Sequence, residues 1–171
     1  MMKTLTISIL AMLWTASSLA AQPTLAQLRA GFFSMKDVKC GQLKFFESIK
    51  SEKYSSPVHQ AYAGTAEAAS AECVSMPYTK IEYFNRGKKN LEEAIKRAPD
   101  NAEVRFMRFA TQANIPGFLF YDNIREDVEV IIKQFPTLMT DEANRDFWNK
   151  AVKFMVDSKK LTTDELAKFG K

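Results

Sequence analysis

The sequence predicts an all-α fold, and three observations lead to that prediction. Apolar residues recur at helical spacing along most of the chain after residue 21. Helix-start signals, with Pro, Asp or Thr ahead of an apolar stretch, precede several of these segments. The chain has no long alternating run of β-branched residues and no Asn-Gly or Asp-Gly hairpin turn. We therefore expect a compact stack of about six to seven helices in repeat-like antiparallel hairpins.

Residues 1–21 have the pattern of a secretory signal peptide. A single positive charge at Lys3 is followed by the apolar run Leu5–Trp14 and by small residues that end at Ala21. This order is typical of export signals, and the apolar run is shorter than the roughly 20 residues that span a bilayer. We expect residues 22–171 to form one exported domain, periplasmic or extracellular, with no transmembrane segment.

The first half of this domain predicts three helices. Their apolar positions are Leu25, Leu28, Phe32 and Met35, then Leu43, Phe46 and Ile49, then Val58, Tyr62, Thr65, Ala66, Ala69 and Cys73. The polar stretch Lys50–Pro57 separates the second helix from the third. The third is rich in Ala and contains Gly64, and side chains this small allow another helix to approach closely.

The second half predicts one long helix followed by shorter ones. Pro77 suits the first turn of the long helix, whose apolar stripe is Phe84, Gly87, Leu91, Ala94, Ile95 and Ala98 and which ends at Pro99. Asp100, with Glu103 three residues on, has the capping-box pattern for the next helix, which runs to about Ala113. The later apolar stripes are Ile124, Val128, Ile131, Ile132 and Phe135, then Ala143, Phe147, Trp148, Ala151, Phe154 and Met155. Thr140 caps the second of these stripes, and Thr162 with Glu165 opens a short last helix.

The corner at Pro99 resembles part of a tetratricopeptide repeat. Leu91, Ala94, Ile95 and Pro99, followed by Asp100–Glu103, look like the second helix and the corner of that repeat. The resemblance implies stacked helix pairs with a concave surface that holds a protein or peptide partner. The period departs from the family, because Val58 and Ala102 start successive first helices 44 residues apart, whereas the family period is about 34 residues.

A second resemblance covers most of the mature chain. It rests on Glu103–Phe109, on Asn114–Pro116 and on Phe118, Leu119 and Tyr121. These strings are similar to a group of small, uncharacterised exported bacterial proteins. The resemblance implies no function.

The charge balance does not favour a nucleic-acid partner. Of the 24 basic residues, 23 remain without Lys3, against 20 acidic residues, for a net charge of +3. The pairs Lys88–Lys89 and Lys96–Arg97 share a helix with Glu92–Glu93, as on a solvated face. A basic stripe is the expected footprint of nucleic-acid binding, so we expect no nucleic-acid partner.

The two cysteines, Cys40 and Cys73, predict one disulfide, because an exported chain meets an oxidising environment. The bond would stabilise the fold by about 3–4 kcal/mol in the chain-entropy model. The alternative is two buried free thiols, since Cys73 falls on the apolar face of its helix. His59 is the single histidine, so the chain lacks the ligand set of a zinc site. We expect no metal and no cofactor.

The polar side of the Ala102–Ala113 helix is the first candidate binding site. Arg105, Arg108 and Gln112 fall within about 60° of one another on a helical projection. Two guanidiniums and an amide on one stripe suit bidentate binding of a carboxylate or phosphate on a partner. The alternative is that both arginines pair with acidic residues of neighbouring helices, such as Glu92 or Asp127.

The second candidate is the segment Asn114–Tyr121, in which apolar and aromatic residues follow a Pro-Gly pair. If exposed, Phe118 and Tyr121 would anchor a partner, because aromatic residues dominate interface hot spots. If buried, the same residues would close the corner between two helices.

These features favour a non-enzymatic binding or scaffold module for a protein or peptide. One alternative is a carrier of a small apolar ligand, suggested by 13 phenylalanines. The other is a hydrolase with converging carboxylates. The chain has no recognisable nucleophile motif and no Gly-rich phosphate loop, so we expect no enzymatic activity.

Overall fold

The fold is all-α, as predicted. The computed structural model describes residues 22–171, and the predicted signal peptide lies outside the described residues. Residues 22–171 form eight α-helices and no strand. The helices are α1 (Leu25–Ser34), α2 (Gly41–Ile49), α3 (Pro57–Ala69), α4 (Pro77–Arg97), α5 (Ala102–Asn114), α6 (Ile124–Leu138), α7 (Glu142–Asp157) and α8 (Thr163–Lys168).

The central helix pair, α3 and α4, is antiparallel. In the α3–α4 pair, Gln60 contacts Glu93 and Glu67 contacts Arg86, so residue numbers run in opposite directions along the two helices. The first helices of neighbouring pairs also pack on one another, α1 on α3, α3 on α5 and α5 on α7. The pairs therefore stack side by side. The tetratricopeptide resemblance itself stays a prediction.

The α3–α4 hairpin is the most extensive helix contact in the described residues, and two glycines allow it. A Cβ added to Gly87 would lie 2.4 Å from the carbonyl oxygen of Gly64 and 2.4 Å from the backbone nitrogen of Ala68. Only a hydrogen at this position lets the two backbones meet. The prediction that α3 admits a close neighbour is confirmed.

Helix starts follow the predicted chemistry with shifts of one residue. Thr162 caps α8 in the predicted capping box. Asn101 caps α5 in place of Asp100, because its side chain accepts from the N–H groups of N2 and N3. Asp141 caps α7 in place of Thr140, with its carboxylate accepting from a backbone N–H two residues on. Adjacent polar residues compete for the cap, and the one with extended backbone at the right position takes it.

The phenylalanines that suggested an apolar ligand pack on one another. The Phe106 ring centroid lies 5.7 Å from that of Phe32, 5.9 Å from that of Phe147 and 5.8 Å from that of Phe154. These edge-on pairs join α1, α5 and α7, and edge-on contact is a favourable geometry for aromatic rings. These rings therefore form part of the hydrophobic core, which weighs against a pocket for an apolar ligand.

Cys40 and Cys73 are free thiols in this structure, so the predicted disulfide is not formed. The thiol of Cys73 instead donates to Oε1 of Gln42 at 3.8 Å. Burial, together with the neighbouring thiol of Cys40, raises the pKa of Cys73 to about 11. The two thiols are therefore neighbours in the fold, although no bond joins them.

Candidate functional site: a buried arginine cluster and an exposed aromatic surface

The polar stripe of α5 faces other helices. Arg105, Arg108 and Gln112 are 5%, 2% and 3% exposed. The structure brings the three predicted residues together on one side of α5, next to α6, which begins at Ile124. Because neighbouring helices cover this side, it presents no open contact surface to a partner.

Asp127 of α6 lies at the centre of this stripe and is fully buried. Its carboxylate accepts hydrogen bonds from Arg108 Nε at 2.9 Å and from Arg108 Nη2 at 2.6 Å. Arg105 Nη1 donates to the same carboxylate at 3.1 Å. Burial raises the pKa of Asp127, and hydrogen bonds from Arg108 and Arg105 oppose that rise. A buried carboxylate with these charged donors costs far less than an unpaired one.

Two half-exposed carboxylates complete the arginine cluster, which consists of Arg105, Arg108, Glu92, Glu126 and Asp127. Glu126 accepts from Arg105 Nη1 at 2.5 Å and from Arg108 Nη2 at 3.0 Å. The hydrogen bond from Arg105 is the main cause that lowers the pKa of Glu126. Glu92 accepts from Arg108 Nη1 at 3.2 Å.

The arginine cluster has no excess positive charge. Two guanidiniums face three carboxylates, so an incoming anion would meet a net negative site. Pairing with Glu92 or Asp127 was the alternative set out from the sequence, and the structure has both pairs. We therefore assign Arg105 and Arg108 to the stability of the fold and do not use them as a partner-binding site.

Gln112 ties the end of α5 to the start of α6. Its Oε1 accepts from the backbone N–H of Asn123 at 2.8 Å, and the Asn123 side chain makes no cap of its own. The Nε2 of Gln112 is the one buried side-chain nitrogen or oxygen of the described residues that lacks a hydrogen-bond partner. Gln112 thus has a structural role in the corner between α5 and α6.

The segment after α5 divides into a buried residue and two exposed ones. Tyr121 is 6% exposed, and its hydroxyl donates to Glu92 at 2.7 Å. Burial raises the pKa of Tyr121, and the hydrogen bond to Glu92 raises it further. Phe118 and Phe120, in contrast, are 69% and 89% exposed. Tyr121 is therefore buried and closes the corner between two helices, whereas Phe118 is exposed and available to a partner.

Phe120 combines exposure with an unfavourable backbone conformation. Its φ of 48° and ψ of 49° lie in the left-handed region, which costs a residue with a Cβ about 1–2 kcal/mol. The Phe120 side chain makes little contact that would repay this cost. Such outliers are retained where the surrounding structure requires them, often at functional sites.

The start of α4 adds further exposed apolar residues beside this segment. Tyr78 and Ile81 are 80% and 45% exposed. Tyr121 packs against Phe84, with ring centroids 6.2 Å apart. Phe84 lies one helical turn beyond Ile81, so Ile81 is on the side of α4 that Tyr121 contacts. We call Tyr78, Ile81, Phe118 and Phe120 the aromatic surface.

A second buried ion pair, between Arg29 and Glu103, was not predicted from the sequence. Arg29 of α1 donates to Glu103 of α5 through Nε at 3.0 Å and through Nη2 at 2.7 Å, and Tyr62 of α3 donates to the same carboxylate at 2.7 Å. Glu103 therefore joins three helices, and its predicted role in a capping box was wrong. Tyr62 and Arg29 lie 41 and 74 residues from Glu103 in the sequence, and contacts over such separations produce no periodic pattern from which they could be predicted.

Comparisons with known proteins identified no relative. No protein-family model, no curated protein and no solved structure matches this chain. Among residues 22–171, His, Cys, Asp and Glu side chains form no group of three or more that could hold a metal ion. None of the helices in that range has the length and apolar character needed to cross a membrane.

Proposed function

We propose that this protein is an exported, non-enzymatic binding module that holds a protein partner, and that the aromatic surface is the contact site. The observation that carries the proposal is the exposure of Tyr78, Ile81, Phe118 and Phe120, on the start of α4 and on the segment that Tyr121 joins to α4 through Phe84. Exposed apolar clusters on soluble domains mark interaction sites. Aromatic side chains contribute most of the binding energy at such sites.

A protein suits this surface because charges of both signs border it. Lys80 and Asp122 are exposed next to the aromatic residues, and the ammonium of Lys88 lies 4.6 Å from the Tyr121 ring centroid. Interfaces between proteins have an apolar centre and a polar rim of this kind. An anionic lipid surface would favour a rim of basic residues alone.

The titratable residues support a role without catalysis. Both ring nitrogens of His59 are hydrogen-bonded, Nε2 to the carbonyl oxygen of Ile49 at 2.6 Å and Nδ1 to Gln22 at 2.8 Å. The buried carboxylates Asp127 and Glu103 are paired with arginines. General acid–base catalysis needs a titratable group free to reach a substrate, and these groups are committed to the fold.

Export remains part of the proposal through the signal-peptide pattern of residues 1–21. In an oxidising compartment the neighbouring thiols of Cys40 and Cys73 would lose two protons and two electrons to a disulfide oxidant and form one bond. This bond would tie the start of α2 to the segment after α3.

The proposal is tested by crosslinking and affinity capture from the native host. A Phe118→Ser/Phe120→Ser double variant is compared with wild type and with Val38→Ser, which replaces an exposed apolar residue on a different segment. We expect one partner to be captured by wild type and Val38→Ser and lost from the double variant. Equal capture by all three proteins, with unchanged helical circular dichroism, would show that the aromatic surface is not the site.

A further inference from the structure

A groove that shares no residue with the aromatic surface runs along another side of α4. It has a volume of about 910 Å³ and lies between α4 and the segment that joins α2 to α3. Its α4 wall includes Arg86, Glu93 and Arg97, and Lys53 and Tyr54 line the other side. A volume of this size is in the range of sites that hold a small molecule or a few residues of a peptide.

The acidic side chains on the α3 and α4 walls of this groove are already paired. Glu67, 4% exposed, accepts from Arg86 Nε at 2.6 Å and from Asn90 at 3.1 Å. Glu93 accepts from Gln60 Nε2 at 2.9 Å, with the Lys89 ammonium 4.0 Å away. The carboxylates of Glu67 and Glu93 therefore already accept hydrogen bonds from neighbouring side chains, and these contacts fix the shape of the wall.

Arg97 differs from Arg86, the other arginine on the groove, because its hydrogen-bond partners are all neutral. Nη1 donates to Gln60 Oε1 at 2.7 Å and to the carbonyl oxygen of Tyr54 at 3.2 Å, and Nη2 donates to that of Ser55 at 3.2 Å. No carboxylate of the described residues forms an ion pair with Arg97. Neutral groups therefore hold the exposed guanidinium of Arg97 in place, and it remains available to a carboxylate in the groove.

The buried amide of Gln60 makes this placement specific. Gln60 is 5% exposed, and its Nε2 is committed to Glu93, so its oxygen must face Arg97. A guanidinium has five N–H donors, and three of those of Arg97 are used by these acceptors. The Nε–H and one N–H of Nη2 remain, and together they flank one edge of the guanidinium plane. That edge matches the two oxygens of a carboxylate.

We propose that this groove is a binding site for a carboxylate, held bidentately by the free edge of Arg97 and attracted by Lys53. Five basic and three acidic side chains line the groove, so an anion is attracted on balance, and the two donors of the free edge match the two oxygens of a carboxylate. The half-buried ring of Tyr54 offers an apolar contact to the rest of the ligand. The site shares no residue with the aromatic surface.

The test uses two probes of the same chemistry, triglutamate peptide and free glutamate, with N-acetylated trialanine amide as the uncharged control. Binding to the purified protein is measured by calorimetry and by shifts of backbone amide resonances around the groove. We expect triglutamate to bind and trialanine amide not to bind. If free glutamate binds as tightly per carboxylate as triglutamate does, the groove is a small-molecule site. If triglutamate binds and free glutamate does not, the groove is a peptide site.

Variants then separate the site from general charge attraction. Arg97→Gln should weaken binding at least about tenfold, because charge-assisted hydrogen bonds are lost. Lys96→Gln removes the same charge from the adjacent exposed residue, which does not line the groove, and should change binding by less than about twofold. Arg97→Lys keeps the charge without the planar edge and should bind more weakly than wild type.

If Arg97→Gln unfolds, Lys53→Gln supplies the same comparison, since Lys53 is exposed and its side chain makes no hydrogen bond or ion pair within residues 22–171. Failure of both probes to bind wild type would overturn the proposal. So would an equal loss of affinity in Arg97→Gln and Lys96→Gln.

Discussion

The backbone strain at Phe120 gives a direct test of why an aromatic residue occupies this position. At φ 48° a residue with a Cβ is disfavoured by about 1–2 kcal/mol, whereas Asn tolerates this region through local hydrogen bonding. We predict that Phe120→Asn is more stable than Phe120→Ala by about 1 kcal/mol. Asn relieves the strain, and Ala keeps it.

The packing lost on truncation is small and equal in the two variants. Phe120 is 89% exposed, so about a tenth of a side chain that buries about 150–250 Å² when enclosed is in contact with protein. This is roughly 20 Å², or about 0.5 kcal/mol at 25 cal/mol per Å². Phe120→Asn should therefore equal or exceed wild type in stability, by up to about 0.5 kcal/mol, while losing the proposed partner.

Urea unfolding followed by circular dichroism measures these differences, and thermal unfolding should show the Asn variant melting about 2–4 °C above the Ala variant. Phe118 is the matched position, because it is exposed and has no positive φ. Phe118→Asn and Phe118→Ala should be equally stable to within about 0.5 kcal/mol. Equal stability of the two Phe120 variants would refute the strain argument.

Unfolding experiments on other residues check four further predictions. Gly87→Ala should lower the free energy of unfolding by about 1–3 kcal/mol, because its Cβ would lie 2.4 Å from backbone atoms of α3. Gly117→Ala is the control: its Cβ would meet open space, so the free energy of unfolding should change by less than about 0.5 kcal/mol. Asp127→Asn should lower the free energy of unfolding by about 3–5 kcal/mol, since it removes the one fully buried carboxylate that both buried guanidiniums share, and a loss under about 1 kcal/mol in urea would contradict this. Cys40→Ser should lower the melting temperature without reductant but not with it, and an equal loss in both conditions would mean that no disulfide forms. Burial, and then Glu103, raise the pKa of the Tyr62 hydroxyl. Above about pH 10 this hydroxyl therefore ionises in the unfolded chain but not in the folded one, so the free energy of unfolding falls with rising pH. Tyr62→Phe should make that fall shallower.

The fold class could be predicted because its signals are local. Apolar spacing, prolines at helix starts and polar caps each depend on a few neighbouring residues, so the helices were placed with errors of about one residue at their caps. The close approach of α3 was also predictable, because it follows from small side chains on one segment.

The burial of α5 could not be predicted in the same way. A helix with Arg105 and Arg108 on one side has the pattern of a half-solvated helix. It is enclosed on that side because Asp127 and Glu126 come from α6 and Glu92 from α4. Nothing in the local sequence states which helices will meet, so the choice between a partner site and internal ion pairs needed the tertiary structure.

The exposure of the segment after α5 was unpredictable for a different reason. Phe118, Phe120 and Tyr121 are chemically similar and nearly adjacent, and only backbone conformation decides which of them is buried. The left-handed conformation at Phe120 reverses the chain so that Tyr121 enters the core. An aromatic residue is an unusual choice for that conformation, so the sequence carries no signal of the turn.

The distribution of charge between interior and surface explains why both proposed sites lie on α4. The charged residues of α5 are used in ion pairs that hold α1, α4 and α6 against it, so α5 has no face for a ligand. α4 is clamped to α3 through Gly87 and still presents two uncovered faces, one ending in Tyr78 and Ile81 and one carrying Arg97. Binding residues are most effective on rigid elements. A helix held this tightly on one side can therefore present a protein-binding surface and a carboxylate groove without either depending on a flexible loop alone.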